Sequence, residues 1–524
     1  MKRREEASRK SLSRRRFLEG VGRLAAAASV AGPAVPSLAD DSFPSGGRGP
    51  INCGPPPKAK PTSRGGTYYP ALPMPNSSGR RPGRKKTPDP PALIGKMALG
   101  PVRWTTQDNK RVQYRDWMSD PADLDTLLSW TARKLQVSYM SVETDFVRFS
   151  FDPRELPAIL LAGHNKFELP EAVRPKLAQY VVDGGTIIAD ACCGWADFAE
   201  SFRREMELVF PERPLRKILP DDPILSSFHK LGKFTYKKAD GSTYTDAPCL
   251  ETIDFGCRGG VIFSPCDLTC GWDGHEHARG IRVEKEQARR VGANLVTYIL
   301  GNFQLGQFLG STKVYHEAGK PTRDDFVFAQ LIHQGDWDPD PSAVHNLLKH
   351  ARDNSTLEVK FKREAVRLTD PAAATSPLLY MTGHRGFEWD EDETVRLRRY
   401  LEAGGILLAD ACCGRAAFDA AFRRQIAKVL PKHKLQPVPV DHALFHCHYD
   451  INRAAYTPRV AADFGRIDEP RIEGITIDGK LAVIYSKFDL GNGWEKFPHA
   501  YAYGFSETSA LRIGTNVIVY AVTH

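Results

Sequence analysis

The stretch GGTIIADACCG at 184–194 returns as GGILLADACCG at 404–414, 220 positions later. Each copy reads the same way locally. Gly-Gly closes a helix at its C-cap. A short, continuously apolar run ending in aspartate then suits a strand buried on both faces, as in a parallel sheet. Ala-Cys-Cys-Gly turns that strand into the next helix. The same offset carries LLAGHNKF (160–167) onto YMTGHRGF (380–387), and Trp117, Asp120 and Pro121 onto Trp337, Asp340 and Pro341. It also carries Phe198, Phe202, Arg203 and Arg204 onto Phe418, Phe422, Arg423 and Arg424. Past a small insertion the offset becomes 222, relating Ser264, Asp267, Gly271, Trp272, Asn294 and Tyr298 to Ser486, Asp489, Gly493, Trp494, Asn516 and Tyr520. A period of that length is a whole domain, far beyond the 20–50 residues of solenoid repeats.

Outward from the repeated stretch, one copy spells alternating strands and helices. FVFAQLIHQGDW (326–337) begins with a strand, and the Asp-Pro pairs at 120–121 and 340–341 start a helix. PAILLAGH (157–164) and SPLLYMTGH (376–384) are buried strands ending in Gly-His. The helix after the Cys-Cys-Gly corner places Phe198, Phe202, Met206 and Val209 on one face, matched by Phe418, Phe422, Ile426 and Val429. A strand ending Phe263-Ser264 or Tyr485-Ser486 and a closing helix complete the unit. This pattern predicts an open, mostly parallel α/β sheet of flavodoxin-like kind with right-handed crossovers. It places one domain over 103–305, a linker over 306–322 and a second domain over 323–524, the two packed as an intramolecular pseudo-dimer.

The N-terminus has a different character. SRRRFL (13–18), an Ala/Gly-rich stretch and Ser37-Leu38-Ala39 before Asp40 read as a twin-arginine signal peptide over 1–39. The expected location is therefore outside the cytoplasm, periplasmic or extracellular. No later run reaches the roughly 18 apolar residues of a membrane span. Residues 40–102 read as a basic linker rich in Pro and Gly, unable to bury enough surface to offset ordering entropy. The formal charge of +9 belongs to these segments: residues 1–39 carry +6 and 40–92 another +6, leaving −3 for the rest. A nucleic-acid partner is thus not expected.

Ten cysteines remain after the leader. Cys192-Cys193 and Cys412-Cys413 are vicinal pairs, Cys249, Cys257, Cys266 and Cys270 occur in the first copy only, and Cys53 and Cys447 stand apart. In an oxidising compartment an even count suggests disulfides. Adjacent cysteines rarely bridge each other, so the pairs need another explanation.

The set Gly-His, then Gly-Gly-strand-Asp-x-Cys-Cys-Gly, then Phe…Phe-Arg-Arg…Pro, then Asp-Leu…Gly-Trp, then Arg-x-Gly-x-Asn-x-x-x-Tyr resembles domain-of-unknown-function family 4159, an uncharacterised bacterial family. The resemblance covers both copies and implies a class I glutamine amidotransferase-like fold. In such folds a cysteine followed one residue later by glycine sits at a strand-to-helix elbow, where Cys192-Cys193-Gly194 and Cys412-Cys413-Gly414 fall.

Strand C-termini are where open α/β sheets place ligands. A chemical site would use Cys192 as nucleophile, His164 as base and Asp190 as orienter, and likewise Cys412, His384 and Asp410. A helix N-terminus would lower the thiol pKa, and amides of the turn would form an oxyanion hole. A structural reading buries both thiols beside Phe198 and Phe418, with aspartate as a helix cap and histidine bonded to backbone. Two further clusters suggest a divalent metal such as zinc: Cys266, Asp267, Cys270, His275 and His277, and His442, His446, Cys447, His448 and Asp450. Disulfides among Cys249, Cys257, Cys266 and Cys270 are the simpler account of the first. Trp272 and Trp494 either stack on a sugar or peptide or cover the core. Asn294, Tyr298, Asn516 and Tyr520 read as structural. The best function class is a non-catalytic binding or assembly module of the cell envelope, with an envelope protein or glycan as partner. The alternative is a cysteine- or metal-dependent hydrolase acting on an amide or glycan.

Overall fold

A computed structural model of the chain describes residues 47–48, 90–100, 102–107, 109–274, 280–311, 325–355, 360–497 and 499–524. The leader, Cys53, His275, His277 and most of both linkers lie outside the described residues.

The first half builds its sheet from β1 (Ala92–Met97), β4 (Met140–Thr144), β5 (Ala158–Gly163), β6 (Thr186–Ala191), β7 (Arg216–Lys217), β10 (Glu251–Phe255) and β11 (Arg258–Ser264). Their order is β4-β1-β5-β6-β11-β10-β7. The first five pair in parallel, and β10 and β7 close the edge antiparallel. A hairpin, β2 (Val102–Gln107) with β3 (Lys110–Arg115), and a small sheet of β8 (Phe234–Lys237), β9 (Thr243–Asp246) and β12 (Arg282–Val283) are added to it. The second half repeats the main sheet with β13 (Asp325–Leu331), β14 (Lys360–Val366), β15 (Leu378–Gly383), β16 (Ile406–Ala411), β17 (Gln436–Pro437), β18 (Glu473–Ile477) and β19 (Lys480–Ser486), in the order β14-β13-β15-β16-β19-β18-β17. The parallel part follows the doubly wound order in which the first strand lies between the second and third. The chain is thus two tandem mixed α/β halves with seven-stranded, mostly parallel sheets.

Apolar continuity explains the central strands. Every residue of β5, β6, β15 and β16 is buried. Helices cover both faces. In the first half these include α1 (Asp123–Leu135), α2 (Arg174–Val182), α3 (Ala196–Val209), the short α4 (Thr269–Asp273) and the long α5 (Lys285–Gly310). In the second half they include α6 (Ala343–Asn354), α7 (Glu391–Glu402), α8 (Ala416–Val429), α9 (Gly491–Glu495) and α10 (Glu507–Thr523). Phe198, Phe202, Met206 and Val209 of α3 are buried, as are Phe418, Phe422, Ile426 and Val429 of α8. At about 1.5–3 kcal/mol for each large apolar side chain, these faces alone hold the helices on the sheet. Trp272 and Trp494 are fully buried and donate Nε1–H to the Ala288 and Ala510 carbonyls at 2.8 Å, so both belong to the core. Asn294 and Asn516 each clamp a loop through side-chain amide bonds to its backbone.

Two boundaries differ from the sequence reading. The first half begins at β1, inside the segment read as linker. Ile94 pairs with Ala158 just as Phe328 pairs with Leu378, so β1 is the counterpart of β13. The β2–β3 hairpin is inserted after it and breaks the constant offset. The segment 306–322 also begins within α5, which continues to Gly310.

The halves pack through unlike surfaces. The turn between β10 and β11, the loop at Asp221–Asp222 and α5 of the first half lie against the carboxyl ends of β15 and β16 and the loop after α9. Arg385 pairs with Asp254, and Arg415 donates to the Asp221 carbonyl at 2.8 Å and to Asp222 Oδ2 at 3.3 Å. Tyr501 stacks on Tyr298 with ring centroids 5.8 Å apart, and Phe497 on Phe308 at 4.4 Å. Gly256, at φ +59, sits so close that an added Cβ would meet the Pro339 carbonyl oxygen at 2.8 Å. The equivalent turn of the second half, at Asp478-Gly479, is exposed. This is a heterologous contact, in which the tail of one half covers the head of the next.

Candidate functional site

Both elbows have the same backbone. Cys193 (φ 57) and Gly194 (φ 63) are successive left-handed residues, as are Cys413 (φ 52) and Gly414 (φ 67). The second cysteine of each pair therefore occupies the strained corner, a conformation that persists only when its surroundings over-determine it. Buried aspartates do this. Asp267 accepts from Cys193 N at 2.6 Å and from Cys270 N at 2.9 Å. Asp489 accepts from Cys413 N and, at 2.8 Å, from Asn492 N.

Asp190 ends β6 and accepts from Leu268 N at 2.9 Å and Thr269 Oγ1 at 2.8 Å. Asp410 accepts from Leu490 N at 2.8 Å and Tyr380 Oη at 2.9 Å. These carboxylates brace the loop after the neighbouring strand. The groups that orient the histidines are Asp116 and Asp336. His164 Nδ1 lies 3.2 Å from Asp116 Oδ1, and His384 Nδ1 lies 2.7 Å from Asp336 Oδ2. Both pairs stand where the strand order reverses, the position at which doubly wound sheets bind ligands. Asp116-Trp117 recurs as Asp336-Trp337, and that dipeptide was the available sequence signal.

The two elbows differ in their side chains. Cys192 contacts Thr269 Oγ1 at 3.4 Å and Asp120 Oδ2 at 3.9 Å. Burial pushes its thiol well above the ordinary range, and the carboxylates of Asp120, Asp267 and Asp190 push the same way. Cys193, Asp267 and Cys270 form a buried group beside it. In the second half a residue from the first joins the elbow. Cys257 Sγ lies 3.5 Å from Cys412 Sγ and 3.2 Å from Asp340 Oδ1. The ligand atoms of Cys257, His384, Cys412 and Cys413 all fall within 4.8 Å of one another, with every residue buried. Thiol contacts from Cys257 and Cys412 hold the Cys413 sulfur well below the usual thiol range against burial, helped by His384 and His499. Burial disfavours the His384 imidazolium, but Asp336 and Cys413 outweigh it and raise its pKa. His499 lies 3.9 Å from Asp340 Oδ1. Cys257 and His499 were not legible as partners, since one occurs in a single copy and the other follows the motifs.

Of the first predicted metal cluster, Cys266, Asp267 and Cys270 lie within the described residues. Cys249 and Cys266 are neighbours of each other, while Asp267 and Cys270 join Cys193. His442 caps Leu444 N at 3.0 Å, His446 pairs with Asp450 and the Val440 carbonyl, and Cys447 contacts the Asn516 carbonyl at 3.2 Å. In the second cluster His442 and Cys447 thus contact backbone, while His446 and Asp450 pair with each other.

The elbow amides are also engaged from outside. Ala196 N donates to the Gly47 carbonyl at 2.9 Å, and Ala416 N to Asp221 Oδ2 at 2.6 Å. All four elbow thiols are buried. Cys193 packs on Trp195, and Cys412 and Cys413 pack on Ala502 and Cys257. Beside Cys413 lies a pocket of about 230 Å³ lined by Asp221, Arg415, Phe464, Tyr501 and Tyr503. That is below the roughly 300–1,000 Å³ typical of ligand sites.

Among curated proteins none matches the chain. A family model does match, over residues 109–300 and again over 327–522, the two halves of the fold. With most of its length covered by two copies, the chain belongs to the family described as "Domain of unknown function (DUF4159)".

Proposed function

We propose that the protein is an exported, non-catalytic binding or assembly module of the cell envelope. The observation that carries this reading is the commitment of the elbow amides. An acyl-transfer site needs free N–H groups aimed at a developing oxyanion. Here the amides of Cys193 and Ala196 donate to Asp267 and Gly47, and those of Cys413 and Ala416 to Asp489 and Asp221. The leader supports export, and the basic tether supports attachment to an anionic surface with an envelope protein or glycan as partner.

A second reading, a cysteine hydrolase, is favoured by one feature: Cys413, His384 and Asp336 form a thiol–imidazole–carboxylate series next to the small pocket. Alkylation of native protein at neutral pH, read by mass spectrometry, separates the two. The module reading predicts that Cys192, Cys193, Cys412 and Cys413 react at least a hundredfold more slowly than in the unfolded chain. Rapid, stoichiometric labelling of Cys413 in the folded protein would favour the hydrolase.

A further inference from the structure

We propose that Cys257, His384, Cys412 and Cys413 are the four ligands of a structural zinc ion that ties the first half to the second. Three thiols and one imidazole are a standard closed set for tetrahedral zinc. With Zn–S near 2.3 Å and Zn–N near 2.0–2.1 Å, neighbouring ligand atoms should stand about 3.5–3.8 Å apart. The Cys257 and Cys412 sulfurs are already at 3.5 Å, and no pair in the set exceeds 4.8 Å. Closing a separation of 4.8 Å to about 3.8 Å needs a shift of about an ångström.

The histidine supplies independent support. His384 Nε2 is buried and faces the Cys413 sulfur, while Nδ1 is held by Asp336 at 2.7 Å. A carboxylate on the opposite nitrogen is how metal-bound histidines are oriented and kept in the correct tautomer. In the zinc-bound form His384 is neutral, with Nδ1–H donated to Asp336 and the Nε2 lone pair on the metal. The three sulfurs bind as thiolates, so their protons leave to solvent. The Arg415 guanidinium, near the Cys413 sulfur, offsets part of the excess negative charge.

Two of the other groupings are weaker. Both oxygens of Asp267 already accept backbone amides, from Cys193 and Cys270, so that grouping offers two thiols beside a committed carboxylate. Asp489 is committed in the same way. The four-ligand set also draws on both halves. Its first-half member sits in a turn whose second-half counterpart carries Gly479 in place of cysteine.

The inference goes beyond the binding-module reading, since it names a metal and not a partner. The full chain, expressed with supplemental zinc and dialysed, should retain zinc that Cys257→Ser and His384→Ala each bind at least tenfold more weakly in chelator competition. Cobalt substitution should give thiolate-to-metal charge transfer and the intense visible bands of a tetrahedral ion, both lost in Cys257→Ser. Cys447→Ser, outside the cluster, should leave them unchanged. If Cys257→Ser does not fold, the cobalt spectrum of the wild type still decides, because three thiolates give a distinct intensity. Metal-free wild-type protein, or zinc affinity and cobalt bands that persist in Cys257→Ser, would overturn the proposal. Slow alkylation of metal-free protein would then leave the module reading standing, so the two failures are distinguishable.

Discussion

The Cys257 sulfur of the first half lies 3.5 Å from the Cys412 sulfur of the second, although 155 residues separate them in the chain. Duplicated domains that meet through a two-fold axis would present equivalent residues to each other. Here a turn meets an elbow, so the two copies have different surroundings despite a shared fold. The first elbow is capped by Gly47 and the second by Asp221, each through the first amide of the following helix.

That junction rests on Arg415, whose side chain is buried between Asp221 and Asp222. Removing one member of a buried ion pair leaves the other uncompensated, at about 3–5 kcal/mol. Arg415→Ala should therefore lower stability by about that amount in urea unfolding. Arg415→Ala combined with Asp222→Asn should cost clearly less than the two single changes together. Additive effects would mean that the pair is not coupled.

Glu495 gives a pH test. It is buried, accepts from Ser342 N at 3.0 Å, and is pushed up to about 7 by burial and by Asp340. The folded state therefore holds a proton that the unfolded state releases near 4.5. Between those values the native state binds more protons, so stability falls as pH rises. The loss from this residue has a ceiling of about 3 kcal/mol. Glu495→Gln keeps the acceptor without the charge, and its stability should drop less between pH about 4.5 and 8 than that of the wild type. Parallel pH profiles would show that Glu495 is not the source.

Much of this architecture was legible in the sequence because it is carried by periodic apolar residues. The runs at 157–164 and 376–384 and the faces of α3 and α8 signal burial directly. β1 was hidden because its apolar run abuts the Pro-rich tether and the inserted hairpin shifts it out of register. The site was legible only in part. His164, His384, Asp190, Asp410 and the cysteine pairs end strands, where local pattern fixes their place. Asp116, Asp336, Cys257 and His499 reach the elbows from loops and from the other half, and pairing at such distances leaves no local periodicity.

The export reading has its own test. Replacing Arg14 and Arg15 with Lys should leave the precursor uncleaved inside the cell. Normal secretion of that variant, detected by fractionation and immunoblotting, would count against a twin-arginine leader.

The central claim is that the first half closes the second elbow through Cys257. Mild oxidation of chelator-treated full chain with diamide, followed by denaturing alkylation and peptide mapping, tests it most directly. The account predicts a disulfide joining the Cys257 peptide to the Cys412-Cys413 peptide, suppressed when zinc is added first. Cys257 linked only to other first-half cysteines, with the Cys412-Cys413 peptide freely alkylated, would contradict it.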